Sequence, residues 1–141
     1  LHCTPIADTL FAPACAPAWL HRLKTPHDLA GVTLLRSYRS DEWPRWLQQA
    51  GAEGVEARGT VFDSSLALAA AAMSGAGVAL LPLAMFEREL RDGRLLQPFA
   101  DGITLGRYWL TRLRSRRERE PLKRFRLWLQ AQQSLVASDA S

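Results

Sequence analysis

The pattern of apolar and polar positions at residues 61–82 predicts a strand, a polar turn, a helix and a second, buried strand. Asp63, Ser64 and Ser65 form the turn, where a helix begins and its first backbone N–H groups lack partners. The apolar helix face that the spacing predicts consists of Leu66, Ala69, Ala70 and Met73. Gly75 is placed to end the helix. Such a βαβ unit binds ligands at the carboxyl ends of its strands, so we expect a site to use this turn.

The rest of the chain alternates between strand and helix patterns. Strands are predicted at residues 10–15, 32–36, 94–98 and 107–112, and helices at residues 17–23, 40–50, 83–90 and 121–136. Pro13 indicates that the first of these strands lies at an edge or crosses between parts of the fold. The alternating order predicts an α/β fold with a parallel or mixed sheet and helices on both faces.

Composition narrows the class of protein. The chain has 141 residues, of which 48% are hydrophobic, which is enough for one core. No apolar run approaches the roughly 20 residues of a membrane span, and no signal peptide is recognisable. Cys3 and Cys15 are far apart and predict small, buried or half-buried thiols in a reducing compartment rather than a zinc site. We therefore expect a cytoplasmic protein without a membrane partner.

The net charge of +4 comes largely from one stretch near the C-terminus. Its basic residues are Arg112, Arg114, Arg116, Arg117, Arg119, Lys123, Arg124 and Arg126. A basic run can bind nucleic acid. Because Leu122, Phe125 and Leu129 form an apolar helix face beside it and no stacking aromatics or glycines interrupt it, a solvated helix surface is favoured. A basic nucleic-acid-binding module at residues 112–126 remains the alternative.

The chain has no residue pattern typical of an enzyme. It lacks a nucleophile elbow, a phosphate loop, a zinc-protease motif and a pair of carboxylates at catalytic spacing. His2, His21 and His27 lie near segment ends without a partner in the sequence. We expect no catalysis, no metal and no cofactor.

Three sets of polar side chains are suited to holding a ligand. The sets are Arg36, Ser37 and Tyr38; Asp63, Ser64 and Ser65; and Tyr108 with Thr111. The first two follow strands and converge at one sheet edge if those strands are parallel neighbours. Hydroxyls and free N–H groups at a helix start bind carboxylates and amides. Helix capping alone explains Ser64 and Ser65 equally well.

Several stretches resemble the effector-binding domain of LysR-type transcriptional regulators. FDSSLALAAAAMSGAGVALLP resembles that family's strand, helix and G-x-G-hydrophobic-P signature, and the late strand with the terminal helix resembles its return segment. LLRSYRSDEWPRWLQQAG, VFDSS and GRYWLTRLRSR are similar to the branch that controls β-lactamase expression and senses cell-wall muropeptides. The resemblance runs from about Leu10 to Leu129.

This resemblance implies a periplasmic-binding-protein-like fold of type 2, in which the effector lies in a cleft between two α/β subdomains. The implied boundaries are residues 1–135 for a partial effector domain, about 13–106 for the second subdomain, 107–135 for the return to the first, and 136–141 for a flexible tail. Ser65 and Tyr108 are the implied effector contacts, and Asp63, Ser64 and Ser37 are further ligand-binding candidates.

The resemblance also implies partners. In such regulators a cell-wall precursor favours repression and anhydro-muropeptides favour activation; a small carboxylate or amino acid is the alternative effector. We expect promoter DNA to be read only through an N-terminal helix-turn-helix that is absent here. The first half of the effector domain is likewise expected upstream of Leu1, with much of the contact that forms a dimer or tetramer.

Overall fold

The computed structural model describes the backbone of residues 1–139 and the side chains of residues 1–133. The strands are β1 (His2–Ala14), β2 (Leu34–Ser37), β3 (Val61–Phe62), β4 (Val78–Pro82) and β5 (Ile103–Arg112). The helices are α1 (Pro17–Leu20), α2 (Glu42–Gln49), α3 (Ser65–Met73), α4 (Glu87–Arg91) and α5 (Glu120–Asp139), with 3-10 turns at Pro26–Gly31 and Leu83–Phe86. The chain divides into two compact units: unit 1, Leu1–Thr9 with Gly106–Ser141, and unit 2, Leu10–Leu105.

The strands are hydrogen-bonded in the order β3-β2-β4-β1-β5. β2 runs parallel to β3 and to β4, whereas β1 runs antiparallel to β4, with Phe11 opposite Pro82. The sheet is therefore mixed, as predicted. β1 lies inside this order, so the expectation of an edge strand is wrong; the alternative, a crossing strand, is confirmed because β1 passes from unit 1 into unit 2 after Thr9.

Unit 2 has a hydrophobic core on each face of its sheet, because successive strand residues point to opposite faces. Leu34 belongs to one core and Leu35 to the other. The first core contains Trp43, Trp46 and Leu47 of α2 with Val78 and Leu80; the second contains Leu68, Ala69 and Ala72 of α3 with Ala79 and Leu81. The expectation of helices on both faces is confirmed for this unit.

Tryptophan side chains fix α2 against the sheet. Trp43 Nε1 donates a hydrogen bond of 2.8 Å to the carbonyl of Leu35, and Trp46 Nε1 donates one of 3.1 Å to the carbonyl of Asp101. The two rings meet edge to face with centroids 6.0 Å apart. Buried rings with satisfied N–H groups hold the start of α2, and thus the loop after β2, in one position.

Two glycines let the chain pass close to β2. A Cβ atom at Gly59 would collide with the backbone carbonyl of Leu34, and one at Gly77 with that of Thr33. Gly75 has φ +86° directly after α3, so the predicted glycine stop is confirmed. Gly59 and Gly77 therefore allow the residues that lead into β3 and β4 to lie close to β2 on either side.

Three local predictions need correction. The buried face of α3 is Leu68, Ala69 and Ala72, whereas Leu66 is exposed, because this helix is apolar on all sides and its spacing does not select a face. The strand predicted at residues 94–98 is a single bridge between Cys15 and Leu96. α5 runs to Asp139, so residues 136–139, predicted as tail, are helical, and residues 140–141 lie outside the described residues.

Unit 1 consists of the first half of β1, most of β5 and α5. Asp8 on β1 binds Arg107 on β5 at 2.5 Å, and the Arg114 side chain donates to the carbonyl of Leu1 at 3.2 Å. Arg126 on α5 donates two hydrogen bonds, of 2.8 and 3.1 Å, to the Glu118 carboxylate. No described residue of unit 1 is buried. Within the described residues, no helix is long and apolar enough to cross a membrane.

Candidate functional site

Polar residues at the ends of β2 and β3 line one cavity of about 130 Å³ in unit 2. The polar side chains are Ser37, Tyr38, Arg39, Glu42, Asp63, Ser64 and Ser65, and the apolar ones are Phe11, Leu68 and Leu80. β2 and β3 are parallel neighbours, with Ser37 opposite Phe62. The prediction that the sets after these two strands converge is therefore confirmed for all of their residues except Arg36. The Arg36 side chain does not line this cavity and donates to the carbonyl of Gly59 at 3.0 Å.

The two serines at the start of α3 have different roles. Ser64 has extended backbone angles and its Oγ accepts a hydrogen bond of 3.2 Å from the N–H of Ala67, so it is the N-cap. Ser65 is the first helical residue and is half-buried in the cavity wall. Its hydroxyl has no hydrogen-bond partner among the described residues. Capping explains Ser64 but leaves Ser65 free to bind a ligand.

Glu42 organises the loop after β2. Its side chain is buried, at 4% exposure, and its Oε2 accepts a hydrogen bond of 2.7 Å from Ser37 Oγ. Arg39 Nη1 lies 3.3 Å from Glu42 Oε1, and the backbone N–H of Arg39 donates to Ser37 Oγ at 3.1 Å. Because these bonds satisfy the buried carboxylate, they also fix Ser37 and Arg39 at the cavity rim.

Tyr108 lies on β5 in unit 1 and is about half exposed, at 47%. Its hydroxyl forms no hydrogen bond within the described part of the chain. Thr111 is also exposed on β5. The aromatic neighbour Trp109 instead receives the Arg107 guanidinium, 5.9 Å from its ring centroid. Tyr108 is thus an available donor and acceptor in unit 1.

The charged groups around the cavity are suited to binding a ligand rather than to catalysis. Arg39 lies 5.4 Å from the centroid of the Tyr38 ring and is half exposed, so its guanidinium can also meet an anion. The first turn of α3 adds the partial positive charge of a helix N-terminus. Asp63 is exposed beside it. Across residues 1–133, no cluster of histidine, cysteine, aspartate and glutamate is suited to hold a metal ion. Such a site can hold a carboxylate or amide.

Sequence reasoning missed the part played by Arg39 and Glu42. From the sequence alone, both residues are polar positions at the start of the helix predicted at residues 40–50. Asp41 occupies the N-cap position but makes no side-chain cap bond. The sequence contained an indication of this pair, because Glu42 follows Arg39 by three residues and begins a helix that contains two tryptophans.

Comparisons with known proteins agree with this geometry. Residues 1–134 match the family described as the LysR substrate binding domain. The chain is 50% identical over 128 residues to the HTH-type transcriptional activator AmpR of Rhodobacter capsulatus, which covers 91% of this chain and 44% of that protein. The chain thus spans less than half the length of this curated relative.

Two solved structures are similar to this chain. The effector domain of the transcriptional regulator AmpR of Pseudomonas aeruginosa matches with a TM-score of 0.92 and 42% identity, over 99% of this chain and 68% of that one. The Citrobacter freundii effector binding domain with three substitutions matches with a TM-score of 0.85 and 38% identity, over 92% and 67%. These relatives are named as regulators, which confirms the expectation that the chain is not an enzyme.

Proposed function

Because the chain belongs to the LysR substrate-binding domain family and is related to AmpR, we propose that it senses cell-wall muropeptides and so controls transcription of β-lactamase genes. In this proposal the effector binds at the start of α3. The regulator acts in the cytoplasm as a dimer or tetramer and reads promoter DNA through a separate helix-turn-helix.

The observation that carries the proposal is the free hydroxyl of Ser65. Ser64 already caps α3, and Ser37 already donates to Glu42, whereas Ser65 faces the same cavity without a partner among the described residues. A half-buried hydroxyl next to unsatisfied helix N–H groups is well suited to bind a carboxylate or amide oxygen. Peptide stems of muropeptides carry both groups.

The Citrobacter freundii structure supports Ser65 and Tyr108 as the pair of effector contacts. Its three substitutions include a serine replaced by alanine and a tyrosine replaced by phenylalanine. These two positions are separated by as many residues as Ser65 and Tyr108 are in this chain. Both replacements remove a hydroxyl, which is the group that we propose for ligand binding.

The remaining candidates have supporting roles in the proposal. Asp63 offers an exposed carboxylate to a ligand amine, and Ser64 presents the helix start through its cap. Ser37 acts mainly through Glu42, because its hydroxyl is already engaged.

The size of the cavity favours a second candidate, a small carboxylate or amino acid. At about 130 Å³, the cavity within unit 2 is smaller than the roughly 300–1,000 Å³ of most ligand sites. An amino-acid-sized ligand could bind there through its carboxylate alone. A disaccharide-peptide would need contacts with further residues outside this cavity.

Calorimetry with an anhydro-muropeptide and with a panel of free amino acids distinguishes the two candidates. We expect Ser65→Ala and Tyr108→Phe each to weaken muropeptide binding by about 2- to 12-fold, since one hydrogen bond contributes about 0.5–1.5 kcal/mol. Binding of an amino acid that Ser65→Ala weakens, without muropeptide binding, would support the second candidate instead.

Two serine variants at the ends of the same helix complete the test, with Ser64→Ala measuring the cap and Ser74→Ala serving as the control. Ser64→Ala removes the cap and is expected to lower the free energy of unfolding by about 1 kcal/mol. Ser74→Ala lies at the other end of α3 and should leave affinity unchanged. Unchanged affinity in both Ser65→Ala and Tyr108→Phe would contradict the proposed contacts.

A further inference from the structure

Unit 1 contains a second cavity that is larger and strongly basic. Between β5 and α5, four arginines and two leucines line a groove of about 500 Å³. These residues, which we term the arginine groove, are Arg112, Leu113, Arg116, Arg117, Arg119 and Leu122. The groove lies entirely within unit 1 and shares no residue with the serine cavity.

The nearby carboxylates are paired mainly with arginines that lie outside this groove. Glu118 accepts two hydrogen bonds from Arg126, which also lower the pKa of its carboxyl, and Glu120 lies 3.8 Å from Arg124. Arg112 donates to the backbone carbonyl of Arg116 at 3.2 Å. Among the described residues, no carboxylate lies within ion-pair distance of the three remaining guanidinium groups in the groove.

Arginines elsewhere in the chain are mostly paired. Those with an acidic partner outside this stretch are Arg39, Arg45, Arg58, Arg88, Arg94 and Arg107. A concentration of like charges repels itself, and its members are stabilised when a polyanion supplies the missing counter-charge. The exceptions outside this stretch are Arg22 and Arg36, which donate to backbone carbonyls, and Arg91. The groove differs because none of its four arginines has an acidic partner among the described residues.

We propose that the arginine groove binds the phosphodiester backbone of duplex DNA without regard to sequence. Guanidinium groups bind phosphate oxygens through paired N–H donors, and such contacts position a protein on DNA but carry no sequence information. Leu113 and Leu122 add an apolar wall against which deoxyribose can pack. This contact differs from the specific promoter reading that we assign to a separate helix-turn-helix.

The choice of DNA among polyanions rests on the proposed function. A regulator held at a promoter by another domain presents this groove to nearby phosphates at a high effective concentration, so even weak contacts contribute. The effector experiment and the DNA experiment share neither ligand nor variant, so either can fail while the other succeeds.

Fluorescence anisotropy with a short labelled duplex of arbitrary sequence tests the proposal on this chain. If all four arginines contact phosphates, the affinity should fall about 150-fold between about 50 and 200 mM salt. Replacing Arg116, Arg117 and Arg119 together by alanine leaves Arg112, and the fall should then be only about 3-fold. The affinity of this triple variant at the lower salt should also be at least about tenfold weaker.

A matched variant distinguishes the contribution of the groove to DNA binding from that of the overall charge. Arg45→Ala, Arg88→Ala and Arg91→Ala combined remove the same charge from exposed positions of unit 2 and should preserve both affinity and salt dependence. Equal losses in the two triple variants would overturn the proposal, as would no duplex binding at the lower salt. Binding of tripolyphosphate or anionic lipid vesicles through the groove, without duplex binding, would overturn the assignment to DNA.

Discussion

Unit 2 closes a hydrophobic core around its own strands, whereas unit 1 buries none of its described residues. Every buried apolar side chain of the described chain lies between Phe11 and Ile103. In unit 1, large apolar side chains remain about half exposed, namely Trp109, Phe125, Leu127 and Trp128. The core of the described residues therefore lies within unit 2.

The interactions within unit 1 are of a different kind. Its described side-chain bonds are ion pairs and hydrogen bonds at partly exposed positions, such as Asp8 with Arg107 and Glu118 with Arg126. Exposed ion pairs contribute little to stability because water and salt screen them, whereas buried apolar area contributes most of it. The free energy of unfolding should therefore reside almost entirely in unit 2.

The largest expected effect is at Trp46, which is fully buried, packs against Trp43 and Phe99, and donates to a backbone carbonyl. Trp46→Ala should lower the free energy of unfolding by about 3–5 kcal/mol. Trp128→Ala, at 56% exposure in unit 1, should change it by less than about 0.5 kcal/mol. Urea denaturation followed by circular dichroism measures both, and similar losses would contradict the contrast between the units.

Thiol labelling compares the two units at their cysteines. Cys15 is buried in unit 2, and burial raises the pKa of its thiol to about 11, so little reactive thiolate forms. Cys3 is exposed in unit 1, so the expectation of a buried or half-buried thiol is wrong for this residue. At mildly alkaline pH, a maleimide should react with Cys15 on the order of 100-fold more slowly than with Cys3.

Mass spectrometry of the labelled protein identifies which thiol reacted. The Cys3→Ser variant should retain only the slow reaction. Equal rates at the two thiols in the folded protein would show that unit 2 opens as readily as unit 1.

The smallest expected effect is the dependence of stability in unit 1 on acidic pH. The Arg126 hydrogen bonds hold the pKa of the Glu118 carboxyl below its ordinary value of 4.5. A carboxyl whose pKa is lowered by folding stabilises the folded state above that ordinary value, and this contribution is lost as pH falls through the lowered pKa. In Arg126→Ala, the pKa of Glu118 followed by carboxyl NMR should rise towards 4.5. No rise would show that the pair does not persist in solution.

Much of the fold could be predicted from the sequence. Membership of the LysR family confirms the periplasmic-binding-protein-like type 2 effector domain, and α3, Gly75 and β4 lie where the pattern placed them. The first half of β1 was missed because Pro5 and Asp8 interrupt its alternation, while pairing with β5 holds it extended. The face of α3 was missed because tertiary packing, not spacing, chooses among its alanines.

The candidate site was predictable only in part. The serine turn followed from helix-start chemistry, and its approach to Ser37 followed from parallel strands. The division of roles between Ser64 and Ser65 could not be predicted, since either residue is a suitable cap. The burial of Glu42 could not be predicted from local spacing alone, because it depends on how α2 packs against the sheet, where Trp43 donates to the carbonyl of Leu35.

The free hydroxyl of Ser65 affects how the ligand specificity of such a protein can change during evolution. Because Ser64 alone caps α3, a change at position 65 should alter what is bound without removing a bond that the fold requires. Mutations at most functional sites trade stability for new activity, which limits the number that a protein can accept. In the proposed binding mode, recognition by Ser65 and capping by Ser64 rest on adjacent but separate side chains, so the ligand specificity of the turn can change while α3 stays intact.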